Sequence, residues 1–143
     1  GMGTTVVVVI IVDRKLYIAH VGDSRAYLFR KDGMDQITRD HSIVQAMVEN
    51  GQLTQNEARN HPRKHFITRA LGVEDTVDCD YGEMNLEDGE FLLICTDGLT
   101  NMVETDEIYR LVQSADPEIV PERLIHAANM AGGSDNITVV VVA

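Results

Sequence analysis

The sequence predicts a layered α+β domain, and three observations carry that prediction. Apolar, β-branched runs of strand length open the chain and close it. Blocks with helical caps and helical spacing of apolar residues lie between and after them. Glycine-containing turn signals punctuate the joins, and no repeat, low-complexity tract or Pro/Ser-rich linker appears, so residues 1–143 are expected to form one domain.

The elements follow in order. Thr4 to Val12 is β-branched throughout and apolar from Val6, which reads as a strand covered on both faces. Asp13-Arg14-Lys15 makes a turn, and Leu16 to Val21 returns as a second strand. Gly22-Asp23-Ser24 breaks the pattern before a third strand, Arg25 to Arg30. Lys31-Asp32-Gly33 carries the Asp-Gly hairpin signal and leads to a short strand near Gln36-Ile37. Four strands on short connections predict an antiparallel meander.

The middle is helical or irregular. Ser42 caps a short helix bearing Ile43, Ala46 and Met47, which Asn50-Gly51 ends. Thr54 and Glu57 have capping-box spacing for a second helix, and His61 to His65 is polar and expected to be exposed. Strands resume at Thr76 to Tyr81 and Glu90 to Cys95. One helix starts near Thr105, carrying Ile108, Leu111 and Val112. Another is predicted from Asp116-Pro117, an N-cap with proline at the first position, to Ala131. Gly132-Gly133 stops it, and Asn136 to Val142 forms a last apolar strand.

Composition narrows the function. The chain is 44% hydrophobic and 24% charged, ordinary for a globular protein. A formal net charge of −11 repels a phosphate backbone, so nucleic-acid binding is not expected. No apolar run reaches the roughly 18 residues of a membrane span, and Val6 to Val12 has no signal-peptide flanks, so a cytoplasmic protein is expected. Cys79 and Cys95 form no motif; free thiols are expected, with a disulfide as the alternative.

Three aspartates stand beside glycine at the ends of apolar strands: Asp23, Asp97 and Asp135. A strand end holds its backbone rigid while the carboxylate points outward, which suits an ion site. Each alone reads rather as a turn-forming residue, common beside glycine.

Their surroundings are more specific. Gly-Asp-Ser-Arg-Ala-Tyr from Gly22, Leu-Ile-Cys-Thr-Asp-Gly-Leu-Thr from Leu93 and Gly-Ser-Asp-Asn-Ile-Thr-Val from Gly133 resemble, in this order, the later motifs of type-2C protein phosphatases. Met2-Gly3-Thr4-Thr5, and the stretch from Asp40-His41-Ser42 to Arg69-Ala70-Leu71-Gly72, are similar to the bacterial branch, where the latter spans a flap beside the active site. The resemblance implies an αββα four-layer sandwich, two antiparallel sheets flanked by helices, N-terminally truncated here. It implies dephosphorylation of phosphoserine and phosphothreonine proteins, the products of a partner bacterial kinase. It also implies a two-metal Mg²⁺ or Mn²⁺ centre with Asp97 and Asp135 as ligands, hard oxygen donors for hard cations. Asp23, with Asp97, would belong to a weaker third site. Asn136 and Gly98 would steady the ligand loops from behind, and His41 and His65 would be flap or substrate contacts.

The family's Asp-Gly-x-Gly-Gly-His-like string is absent, and neither Asp32-Gly33 nor Asp88-Gly89 replaces it. Weak metal binding and little activity are therefore expected of this chain alone. The alternative is a non-catalytic module that binds partners or forms a homodimer through uncovered sheet edges. His20, His41, His61, His65 and His126 read as surface or packing residues, with His41 and His65 also as the flap contacts named above, since no cysteine stands near them at zinc spacing. No serine has a nucleophile-elbow context.

Overall fold

A computed structural model describes residues 1–143. Its contacts divide the chain into two compact units, one of Gly1–Ser24 and Arg39–Asn85, the other of Arg25–Thr38 and Leu86–Ala143. Each has its own antiparallel sheet, which bears out the α+β class.

In the first unit β1 (Val6–Val12), β2 (Lys15–Val21) and β5 (Asp80–Asn85) pair in the order β1-β2-β5. The β1–β2 register sets Val9 opposite Ile18 and Ile11 opposite Leu16. Leu16, Ile18 and His20 alternate along β2 and are buried, which identifies the inner face. On the other face Val8, Ile10, Val12, Tyr17 and Tyr81 are exposed, so β1 is not covered on both faces within this chain. Two short helices, α1 (Ile43–Glu49) and α2 (Gln55–Arg59), complete the unit. The Ser42 side chain caps α1 through the Gln45 N–H, and Thr54 and Glu57 form the predicted capping box.

In the second unit β3 (Arg25–Arg30), β4 (Gly33–Gln36), β6 (Phe91–Cys95) and β7 (Val139–Val142) pair in the order β4-β3-β6-β7. The helices are α3 (Asp97–Thr100), α4 (Thr105–Gln113) and α5 (Val120–Met130). Ile108 and Val112 of α4, with Val120, Leu124 and Ala128 of α5, recur at four-residue intervals and form buried stripes. They join Tyr27, Phe29, Leu93, Cys95, Leu99 and Val103 in one core. Stacking of Phe29 on Phe91, with centroids 4.7 Å apart, ties β3 to β6 inside it.

Several sequence expectations are corrected. The first four strands are not one meander, because β2 pairs with β1 and β5 whereas β3 pairs with β4 and β6. The chain changes sheets at residues 22–24, where Gly22 takes φ of 110°, a left-handed value that glycine tolerates. Strand β5 begins at Asp80 rather than Thr76, since its pairing with β2 sets its limits and one sequence does not reveal a cross-strand partner. Helix α5 begins at Val120, not Pro117. Pro121 has no N–H to give the carbonyl of residue 117, so the helix places Pro121 within its first turn instead. Both cysteines are free thiols, as expected. No helix is long and apolar enough to cross a membrane.

Candidate metal centre and its supporting network

In the second unit the Asp97 and Asp135 turns leave neighbouring strands. Asp97 follows β6 and opens α3 after Thr96; Asp135 precedes β7, which pairs with β6 through Cys95 and Val139. The pairing extends one residue further. The Thr96 N–H donates to the Thr138 carbonyl at 3.1 Å, and the Thr138 N–H donates to the Thr96 hydroxyl at 3.0 Å. The turns also touch where they bend. Gly98 is buried, and a Cβ placed on it would lie 2.1 Å from the Asn136 carbonyl oxygen, so only glycine fits there.

The side chains are held locally. Oδ1 of Asp135 accepts the N–H of the next residue, Asn136, at 2.7 Å, a local bond that orients the carboxylate from its own backbone. Asn101 Nδ2 reaches Asp97 Oδ2 at 3.5 Å. Asp97 is half-buried and Asp135 exposed. Asp97 and Asp135 stand on turns joined by backbone contacts and offer oxygen donors, the kind a hard cation such as Mg²⁺ or Mn²⁺ takes. Asn136 meets Gly98 through its carbonyl, in the space left by the missing side chain, while its N–H holds Asp135.

Asp23 belongs to the first unit and is half-buried there. Both its neighbours are bound. Gly22 donates its N–H to Nδ1 of His41 at 3.0 Å, and its carbonyl accepts the His41 N–H at 3.0 Å. On the other side the Ser24 and Thr5 hydroxyls bond at 2.8 Å.

His41 is fully buried, not the exposed flap or substrate contact expected, and its carbonyl accepts the Thr68 N–H at 2.9 Å. Because Nδ1 accepts from Gly22, the proton sits on Nε2, which donates to Asp80 Oδ2 at 2.9 Å. Arg69 donates to the other carboxylate oxygen at 2.9 Å and to the Asp78 carbonyl at 3.2 Å. The His20 ring stacks on His41 at 4.7 Å and 11°, and His20 Nε2 donates to the Arg39 carbonyl at 2.8 Å. Arg39 in turn pairs with Glu49. His65 is exposed.

Charge follows from these contacts. Burial pushes the His41 imidazole down from its ordinary value and keeps it neutral, although its bond to Asp80 pulls the other way. Asp80 is held below the usual carboxylate range, first by His41 and then by Arg69. Glu49 is lowered to about 2 by its hydrogen bonds from Arg39 and Gln45.

Ligand atoms of His20, His41 and Asp80 lie within 4.8 Å of one another. This is a hydrogen-bonded network rather than a cation site. Imidazole lone pairs lie in the ring plane, and two nearly parallel stacked rings cannot both aim at one ion. The Arg69 cation against Asp80 opposes a second positive charge as well. Sequence reasoning missed the network because its members are 21 and 39 residues apart; the nearest signal is the β2–β5 register, which sets His20 opposite Asp80.

Residues 1–47 match the family model described as Protein phosphatase 2C. Over 143 residues the chain is 46% identical to "Protein phosphatase PhpP" of Streptococcus pneumoniae, covering 99% of this chain and 58% of that protein. It superposes on the Mycobacterium tuberculosis serine/threonine phosphatase PstP/Ppp with a TM-score of 0.93 at 37% identity, covering 99% of this chain and 60% of that one. A PstP catalytic domain in complex with two manganese ions gives a TM-score of 0.87 at 37% identity, with 99% and 58% covered. The chain thus spans somewhat more than half the length of the relatives it matches.

Proposed function

This chain belongs to the protein phosphatase 2C family, as a segment of its relatives' length, and from that premise we propose that it forms part of a cytoplasmic enzyme that removes phosphate from phosphoserine and phosphothreonine proteins. The observation that carries the reading is the backbone joint at Gly98 and Asn136, which holds the Asp97 and Asp135 turns together. Its substrates would be products of a bacterial Ser/Thr kinase. Mg²⁺ or Mn²⁺ held by Asp97 and Asp135 would supply Lewis-acid activation of water and neutralise charge on the phosphoryl group. The chain's own part is to hold and orient: Asn136 N–H and Asn101 Nδ2 aim the two carboxylates, and the Thr96–Thr138 bonds keep the turns in register. Asp23 is assigned to a further, more weakly held ion.

Turnover tests this. No Asp-Gly-x-Gly-Gly-His string occurs in the 143 residues, so this chain alone is expected to hydrolyse p-nitrophenyl phosphate barely above background with Mn²⁺. In a protein of the relatives' length that carries this segment, Asp97→Asn or Asp135→Asn should remove most Mn²⁺-dependent turnover, and Asp23→Asn less. Full activity in the Asp97→Asn protein would refute the assignment.

A second reading is a non-catalytic, self-associating module. It is favoured by β1, an all-apolar strand at a sheet edge whose Val8, Ile10 and Val12 are exposed. Light scattering decides it: a monomer at every concentration excludes the module, and a concentration-dependent dimer supports it.

A further inference from the structure

Asp23 lies between two residues held by hydrogen bonds, Gly22 through its backbone and Ser24 through its hydroxyl. His41 occupies both polar groups of the Gly22 backbone, the N–H through Nδ1 and the carbonyl through its own N–H, each at 3.0 Å. Thr5 holds Ser24 at 2.8 Å. No side chain fits at Gly22, since a Cβ there would lie 2.4 Å from the Thr5 side chain. The direction in which the chain enters Asp23 is therefore set by the His41 ring.

The ring and its backbone are set in turn by the far end of the flap segment, residues 67–69, and by Asp80. The Thr68 N–H donates to the His41 carbonyl at 2.9 Å, and Ser42 bridges to Ile67. Asp80 fixes Nε2, and Arg69 of the flap segment fixes Asp80. Stacking against His20, itself tied to the Arg39 carbonyl, closes the remaining rotation of the ring. Burying a neutral imidazole carries a desolvation cost that its hydrogen bonds must offset. Such an arrangement directly behind an aspartate points to aim rather than to cohesion.

We propose that His41 is a positioning residue: through the chain Arg69–Asp80–His41–Gly22 the flap segment sets the backbone from which Asp23 presents its carboxylate to a divalent cation. The proposal rests on the reading of Asp23 as a metal ligand. It adds that the flap segment helps determine that site's affinity without supplying a ligand to it.

Amide hydrogen exchange, followed by NMR on the metal-free protein, tests the link first. Asp80→Ala should speed exchange of the Gly22 amide roughly fivefold to tenfold, as loss of one supporting hydrogen bond implies, and Arg69→Gln should speed it about twofold. The Leu16 and Ile18 amides of the same strand should change less than about twofold in either variant. His41→Asn places an amide oxygen near the Nδ1 position, so it should keep Gly22 protected and make that protection insensitive to a second Asp80→Ala change. Unchanged Gly22 exchange in Asp80→Ala, or exchange that rises in step with Leu16 and Ile18, overturns the proposal and leaves His41 a plain core residue. Asp80 and Arg69 are only partly buried; should Asp80→Ala fail to fold, the Arg69→Gln measurement decides alone.

Mn²⁺ broadening of the Gly22, Asp23 and Ser24 signals tests the use of the link. The midpoint should move to several-fold higher Mn²⁺ in Asp80→Ala. A Gly22 amide that responds while that midpoint stays put overturns the metal-positioning role. Absence of broadening at all three residues in the unaltered protein sinks the metal reading of Asp23, a failure distinct from that of the Arg69–Gly22 link.

Discussion

The two units support their aspartates by different physics. In the second, the Asp97 and Asp135 turns rest on an apolar core and on backbone fit: β6 and β7 are paired, Leu99 and Val103 of the Asp97 segment are buried, and glycine at position 98 admits a neighbouring carbonyl. In the first, the turn at Asp23 rests on side-chain hydrogen bonds among His41, Asp80, Arg69, Thr5 and Ser24. Apolar support is insensitive to pH and gives way mainly when a cavity or a clash is introduced. Polar support is directional, depends on protonation, and fails as a network when one member is lost.

The sharpest break is a cavity in the second unit. Leu124 is fully buried in the core that α5 shares with β3 and β6, so Leu124→Ala should cost about 2–5 kcal/mol, read from urea unfolding. Gly98→Ala comes next, at about 1–3 kcal/mol, because its methyl group meets backbone that cannot turn aside. It should also separate the Asp97 and Asp135 turns, visible as loss of the Thr138 amide's protection from exchange. A Gly98→Ala protein with that protection intact would show that the joint at Gly98 is not close-packed.

The smallest effect belongs to the first unit, and it is one of pH. The folded His41 has a lowered pKa, so between that value and the ordinary value near 6.5 the unfolded chain binds a proton that the folded chain refuses. Its contribution is fully present above about pH 6.5 and is lost as pH falls through the folded value. The urea midpoint should fall modestly from pH 7.5 to 5.5, and His41→Asn should remove that part of the slope. Equal slopes in the two proteins would contradict a neutral, buried His41.

The same contrast explains how much could be read in advance. Apolar period and caps announced α1, α2 and α4, and the two free thiols were expected from their lack of a motif. The Asp97 and Asp135 turns were visible because glycine and aspartate at strand ends are local signals. The His41 network was not, since its members come from β2, β5 and two loops and meet only through register and tertiary contact. Asp116-Pro117 looks like a helix start until the missing N–H of Pro121 is counted, which is why α5 begins later than its sequence suggests.

Mn²⁺ titration followed by amide NMR tests most directly the proposal that the Asp97 and Asp135 turns form one metal-binding locus. Two carboxylates are few for a hard cation, so binding should be weak but saturable. Broadening should begin at residues 96–98 and 134–136 before any other acidic stretch of the second unit, and Asp97→Asn should abolish it at both turns together. Broadening spread evenly over the acidic surface, or confined to one turn and indifferent to Asp97→Asn, would contradict the account.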